Sequence, residues 1–385
     1  MPHSRHHTFT NFFKNKEINS MYITMALNSI AENLIAIFVP IYLWQLGYSI
    51  IQILLFFTLW AIYWILVSPL VVKLISIKGE KHTIFYSSFF LILYYLGLYY
   101  IESWPWLFYL LPLFAASRAC FFWIGWHVNF VEHADRKRQG REIALIQGIA
   151  VLANFITPLV GGSIIFWLGW QYAFIIASIV LFFSVWPLLR TKDTPEKINF
   201  NVKQIIKWIF NKKHWRMNLS FFGYATEAAI GRALWPVFIL VIIGSINKVG
   251  AIISFSMIAS MIVLYFIGKL TDKMSRRKII KGATVFYVIG WIGRIFADST
   301  GFVFGIDTYK NIAGKAIDVP WSSRIYDLAK KEKYFEFIVA KEIIFRLSRI
   351  LVLPILMLLF WQFGFVAFFI SFGIAAVLSL LYMSL

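Results

Sequence analysis

Twelve apolar runs follow one another along this chain, and the loops joining them alternate between basic and almost uncharged. The runs cover approximately 21–45, 50–76, 83–101, 105–131, 142–167 and 171–189, then 218–244, 249–270, 279–297, 302–326, 335–361 and 363–385. At 1.5 Å of rise per residue, a helix needs roughly 20 mostly apolar residues to cross a bilayer's hydrocarbon core. Lys73, Lys78 and Lys81 crowd one loop, and Arg136, Lys137, Arg138 and Arg141 the next of its kind. Arg276, Arg277 and Lys278 fill a third, and Lys330, Lys331 and Lys333 a fourth. The alternate turns, such as Gly47-Tyr48-Ser49, Glu102-Ser103-Trp104, Leu168-Gly169-Trp170 and Gln362, carry almost no cation. Basic loops stay in the cytosol, so twelve crossings of the cell membrane with both termini cytoplasmic satisfy the pattern. Trp104, Trp106, Trp167, Trp170 and Trp361 gather at the opposite ends, where an interfacial aromatic belt belongs.

Composition supports lipid as the solvent. Of 385 residues, 60% are apolar and 14% charged, more apolar surface than a water-facing exterior tolerates. The net charge of +19 sits in loops as a topology signal, which excludes nucleic acid as the expected partner. The first 20 residues are polar and basic, and the run after them is too long for a cleavable signal's core, so it stays as the first span. The single cysteine, Cys120, lies inside an apolar run and permits neither an intramolecular disulfide nor a thiolate metal cluster. No H-E-x-x-H, G-x-S-x-G or G-x-x-x-x-G-K-[ST] pattern occurs, so no enzyme, cofactor or resident metal is expected.

The chain divides into a cytoplasmic tail at 1–20, a six-helix half at 21–190, a linker at 191–217 and a second six-helix half at 218–385. Within the linker, Val202, Ile205, Ile206, Trp208 and Ile209 alternate with Lys203 and Lys207, as in a helix lying on a membrane surface. The halves echo each other. Glu32, Pro40 and Gly47 recur in order as Glu227, Pro236 and Gly244, and the turn after Trp167 resembles that after Trp361. Such parallel duplication places a cavity between two bundles.

Several stretches carry a family resemblance. Gly268-Lys269-Leu270-Thr271-Asp272, followed by Arg276, Arg277 and Lys278, is similar to the signature loop of the major facilitator superfamily. It stands between runs eight and nine, the corresponding place in the second half. Ser76 replaces the matching aspartate in the first half. Arg138-Gln139-Gly140-Arg141 resembles the element entering the family's fifth helix, and Thr157-Pro158-Leu159-Val160-Gly161-Gly162 a Pro-Gly-Gly pattern within it. The resemblance implies an all-α membrane protein of twelve transmembrane helices in two six-helix bundles. It further implies a cytoplasmic gate at Gly268, Asp272, Arg276 and Arg277, and a hinge at Pro158, Gly161 and Gly162. Proline removes an intrahelical hydrogen bond and the glycines permit close helix approach.

Ionisable groups inside a bilayer are costly and invite functional readings. Glu32, Arg118, Glu227, Arg232, Lys315 and Asp318 fall near mid-depth on runs one, four, seven and ten, which the resemblance assigns to the cavity. Arg346 and Arg349 on run eleven, with Asn154 on run five, lie at similar depth, and Trp126 on run four is expected either to pack against a neighbouring helix or lipid or to stack a ligand. Run ten also holds Asp307, Lys310 and Arg324, so much of it must face protein or water. The pairs Glu32 with Arg118 and Glu227 with Arg232 are expected either to be static or to exchange a proton during transport. Glu342 and Arg346, four residues apart, are expected to neutralise each other.

The expectation is therefore a monomeric secondary transporter of a small solute. A proton is its expected coupling ion, and the excess of cations favours an anionic or zwitterionic substrate. A non-transporting sensor or scaffold on the same bundle is the alternative.

Overall fold

The computed structural model describes residues 16–133, 139–184, 186, 202–273, 275–329 and 334–385. The spans are built as α1 (Lys16–Ala36) with α2 (Val39–Gln45), α3 (Ile50–Lys78), α4 (Glu80–Tyr100), α5 (Leu107–His133), α6 (Gln139–Leu168) and α7 (Trp170–Ser184). A short linker helix α8 (Val202–Ile209) and a 3-10 turn (Lys212–His214) come next. The second half comprises α9 (Trp215–Ala233) with α10 (Trp235–Ile243), α11 (Ile246–Lys273), α12 (Arg276–Arg294), α13 (Thr300–Ala329), α14 (Tyr334–Phe363) and α15 (Val366–Ser379) with a 3-10 end (Leu380–Ser384).

Seven of these spans are long and apolar enough to cross a membrane on length and composition, among the described residues. α13 fails that test yet is 30 residues long, about 45 Å at helical rise. Its charges explain how it crosses: Asp307 and Lys310 are buried against other helices, and Lys315 pairs with Asp318 on the helix itself at 3.3 Å. A polar helix is stable at membrane depth when its polar face is turned to protein.

The first span of each half is broken at the same place. α1 and α2 part around Ile37 and Phe38, just before Pro40, and α9 and α10 part at Leu234, just before Pro236. Proline lacks the N–H that would continue the ladder, and its ring displaces the preceding turn. The short turns at one end of the bundle rest on glycine at positive φ: Gly47 at 88°, Gly169 at 95°, Gly244 at 72° and Gly364 at 53°. Ser49 then caps α3 reciprocally with Gln52, which satisfies two backbone donors that have no helical acceptor. We call this the turn end of the bundle, and the opposite end, toward the cationic loops, the basic end.

Leu66, Leu70, Phe89, Phe183, Phe286, Leu358 and Val377 are exposed around the bundle. They form the apolar girdle that hydrocarbon solvates. At the turn end Trp104, Trp106, Trp167 and Trp361 are all more than half exposed. The halves meet through α3 against α14 and α6 against α11. The α6–α11 contact is close because side chains are missing. A Cβ on Gly250 would overlap the Pro158 carbonyl, and one on Gly161 the Leu34 carbonyl of α1. A Cβ on Gly162 would come within 3.2 Å of the Ile246 carbonyl. α8 lies at the basic end, burying Ile205 and packing Trp208 on Phe337 of α14 at 5.5 Å between ring centroids. Its Lys207, Ile206 and the adjoining Phe210 are turned outward, Ile206 and Phe210 at least half exposed.

Candidate functional site

A cavity of about 100 Å³ opens between the halves. α1 contributes Glu32 and Ala36, α3 Phe56, Phe57 and Trp60, and α4 Leu91, Tyr94 and Tyr95. α5 adds Arg118 with two alanines, and the second half supplies Ala229 and Arg232 from α9 and Arg349 from α14. Aromatic rings thus line the first-half wall, and arginines reach in from both sides.

Glu32 and Arg118 form an ion pair at 2.9 Å, the carboxylate side chain 38% exposed and the guanidinium side chain 3%. Arg118 is held by more than Glu32. Its Nη2 also donates to Asn28 Oδ1 at 3.0 Å, and Asn28 in turn donates to Ser184 Oγ at 3.0 Å. The ring of Phe122 lies 4.6 Å from its Cζ. A chain of contacts from α7 through α1 to α5 therefore fixes the guanidinium while leaving the carboxylate open to the cavity. Arg118 Nε and Nη1 are buried without a hydrogen-bond partner among the described residues.

A second charged group lies wholly inside the second half. Glu227 Oε1 accepts hydrogen bonds from Tyr287 at 2.7 Å and Trp291 at 2.9 Å, and Oε2 from Tyr382 at 2.7 Å. Lys310 Nζ stands 3.3 Å from the same carboxylate and donates to Tyr287 Oη at 2.7 Å. Beside it, Asp307 accepts from Arg294 at 2.6 Å, Trp235 at 2.9 Å, Ser256 at 2.8 Å and Asn311 at 3.1 Å. Two acids and two bases are thus neutralised within a buried network, the condition under which buried charge is tolerated.

The expected pairing of Glu227 with Arg232 is not made. The two are five residues apart on α9, more than one helical turn, and so point in different directions. Glu227 turns into its own bundle, and Arg232 is exposed in the cavity.

Lys315 and Asp318 pair with each other and do not line the cavity. Trp126 is 4% exposed and stacks on Phe122 with centroids 5.9 Å apart, away from the cavity wall. Arg346 meets Glu342 at 2.8 Å, as the spacing predicts, and lies over Trp60 and Trp64 at 4.6 and 4.7 Å. Arg276 and Arg277 open α12 at the basic end, and Gly268 falls near the end of α11. The side chains of Asn154 and Asp272 lie outside the described residues, as do the loop cations Arg136, Lys137, Arg138, Lys330, Lys331 and Lys333. Pro158, Gly161 and Gly162 stand at the three-helix contact of α1, α6 and α11.

Sequence reasoning misses Arg294. It stands at the turn end of its span, against the distribution of cations, and that misplacement is the signal that it has a local acid. Arg349 stands out in the sequence for depth alone; its direction depends on helix rotation.

A twelve-span helical bundle with a charged cavity between its halves defines a polytopic carrier. The sequence model of the Major Facilitator Superfamily matches residues 21–221, just over half the chain, and the chain belongs to that family of membrane transporters. Among solved structures, it is similar to a D-xylose-proton symporter, with a TM-score of 0.73 at 15% identity over 95% of this chain and 96% of that one. That likeness is one of fold. No curated protein matches by sequence.

Proposed function

We propose that this protein moves a small anionic or zwitterionic solute across the cell membrane by alternating access, driven by protons taken up at Glu32. In this reading the halves at 21–190 and 218–385 rock about the central cavity, and a single chain with both termini cytosolic suffices. Gly268, Asp272, Arg276 and Arg277 serve as the basic-end gate, and Pro158, Gly161 and Gly162 as the bending point of α6.

The Glu32–Arg118 pair carries the proposal. The carboxylate is accessible to water in the cavity, and the arginine is anchored independently through Asn28. Protonating Glu32 cancels its charge and leaves Arg118 without an anionic partner, while the Asn28 contact keeps the guanidinium in place. A solute anion then replaces the lost carboxylate, so proton and solute enter one state together. Release of the proton restores the pair and expels the solute. Coulombic attraction at such distances is worth more in a partly desolvated cavity than in bulk water, which favours the exchange.

The test is transport into proteoliposomes under an imposed proton gradient. Wild type should accumulate its solute against a gradient. Glu32→Gln, fixed in the neutral form, should exchange solute across the membrane but lose proton-driven accumulation. Full accumulation by Glu32→Gln would remove Glu32 from the coupling step.

A further inference from the structure

The cavity holds more positive charge than the protein neutralises. Arg118, Arg232 and Arg349 line it with one carboxylate, Glu32, which is committed to Arg118. Elsewhere within the membrane the chain pairs its buried cations: Arg294 with Asp307, Lys310 with Glu227 and Arg346 with Glu342, each at 3.3 Å or less. Arg349 departs from that practice. It is 8% exposed, and its Nε is buried without a hydrogen-bond partner. Among the described residues it has no carboxylate within ion-pair distance; its contact is with the Trp60 ring, 4.9 Å from Cζ. Arg232 likewise makes neither an ion pair nor a hydrogen bond among the described residues, and it opens into the same cavity.

The Arg349 guanidinium has lost its water and gained no counter-charge, which is costly unless a ligand supplies one, and Arg232 adds a second unpaired charge to the same cavity. Arginine's planar fork suits a carboxylate or similar oxyanion, bound through two parallel hydrogen bonds. The facing wall is of another kind. Phe56, Phe57, Trp60, Tyr94 and Tyr95 present ring surface from α3 and α4, which favours a flat apolar body. A benzene ring fills a cavity of about 150 Å³, so this one, at about 100 Å³, takes no more than a single ring.

We infer that Arg232 and Arg349 form the receptor for a small aromatic organic anion, preferably doubly charged, whose ring packs on the first-half aromatic wall. The inference rests on the carrier reading for every step after binding, and it deepens that reading by assigning the solute class. One molecule then touches both halves: one charge meets Arg232 and Arg349 on the second, while its ring and, once Glu32 is protonated, its other charge meet the aromatic wall and Arg118 of the first. Bridging of this kind draws the halves together around the ligand.

Binding to purified full-length protein in nanodiscs tests the assignment, with phthalate, benzoate, succinate and neutral benzamide as probes and thermal stabilisation as readout. Phthalate should bind tightest, benzoate and succinate more weakly, and benzamide should give no shift. Arg349→Gln and Arg232→Gln should each weaken phthalate at least tenfold, and Arg349→Lys should recover part of the loss. Benzamide binding as well as phthalate, or Arg349→Gln within twofold of wild type, overturns the inference. Should Arg349→Gln fail to fold, the phthalate-to-benzamide contrast on wild type decides. Phthalate binding without flux refutes the carrier reading and keeps the receptor. Proton-driven accumulation of a neutral solute without phthalate binding does the reverse.

Discussion

Replacing Glu227 with glutamine preserves side-chain volume and removes one charge from a buried, heavily bonded acid in the second half. Glu227 is 4% exposed, with Tyr287, Trp291 and Tyr382 donating to it at 2.7 to 2.9 Å and Lys310 at 3.3 Å. The neutral contacts survive in part. A glutamine oxygen can serve Trp291 and Tyr287, and the Tyr382 hydroxyl can rotate to accept from the new amide. Lys310 has no such recourse, because its ammonium would be left buried with the Tyr287 hydroxyl as its hydrogen-bond partner. Breaking one side of a buried pair costs about 3–5 kcal/mol, and that is the expected loss of stability. The assay is equilibrium unfolding of the purified protein in detergent, monitored by near-ultraviolet dichroism. Glu227→Gln combined with Lys310→Met removes both charges and should regain most of the deficit, since the two effects are coupled through one contact. A single variant within about 0.5 kcal/mol of wild type, the range of an uninvolved surface site, would refute the reasoning. So would a double variant whose loss equals the sum of the singles.

Other parts of the bundle give further expected outcomes. Gly250→Val places a branched side chain on the Pro158 carbonyl and should hold the turn end apart, stopping solute flux while the protein still folds; unchanged uptake would mean that the contact is not needed. Gly47→Ala, at φ 88° with open space around a new Cβ, should cost about 1–2 kcal/mol from backbone strain alone. Gly282→Ala in α12, also with open space, should instead stabilise by about 0.5–1 kcal/mol, and thermal melts of the two variants should shift in opposite directions.

Much of the architecture is legible because charge and hydropathy are one-dimensional signals. Loop parity yields twelve spans, and even α13, too polar for a hydropathy argument, is required by that parity. The Glu342–Arg346 pair comes from helical spacing, which sequence also displays. What sequence leaves open is rotation about the helix axis. Most of these helices are apolar on every side, so nothing in the pattern tells which way Glu227 or Arg349 points. Glu227 shares its helix with Arg232, and its partner Lys310 stands on α13, far along the chain. Glu32 and Arg118 are also distant in sequence, yet their pairing is legible because each is the acid or base nearest mid-depth on its run. That reasoning succeeds in the first half, where few charges compete, and fails in the second, where Arg232, Arg294, Lys310 and Lys315 all offer themselves.

The meeting of α1, α6 and α11 at the turn end is made of backbone carbonyls, glycine and the ring of Phe38, with no ion pair among these contacts. It is a fitted seam rather than a latch. Parting it wets apolar surface but frees no ions, so its equilibrium should respond to temperature and lateral pressure in the bilayer and be indifferent to salt. The basic end, dense in arginine and lysine, has the opposite sensitivity. The two mouths of the same molecule would then answer to different features of their surroundings, one mechanical and one ionic.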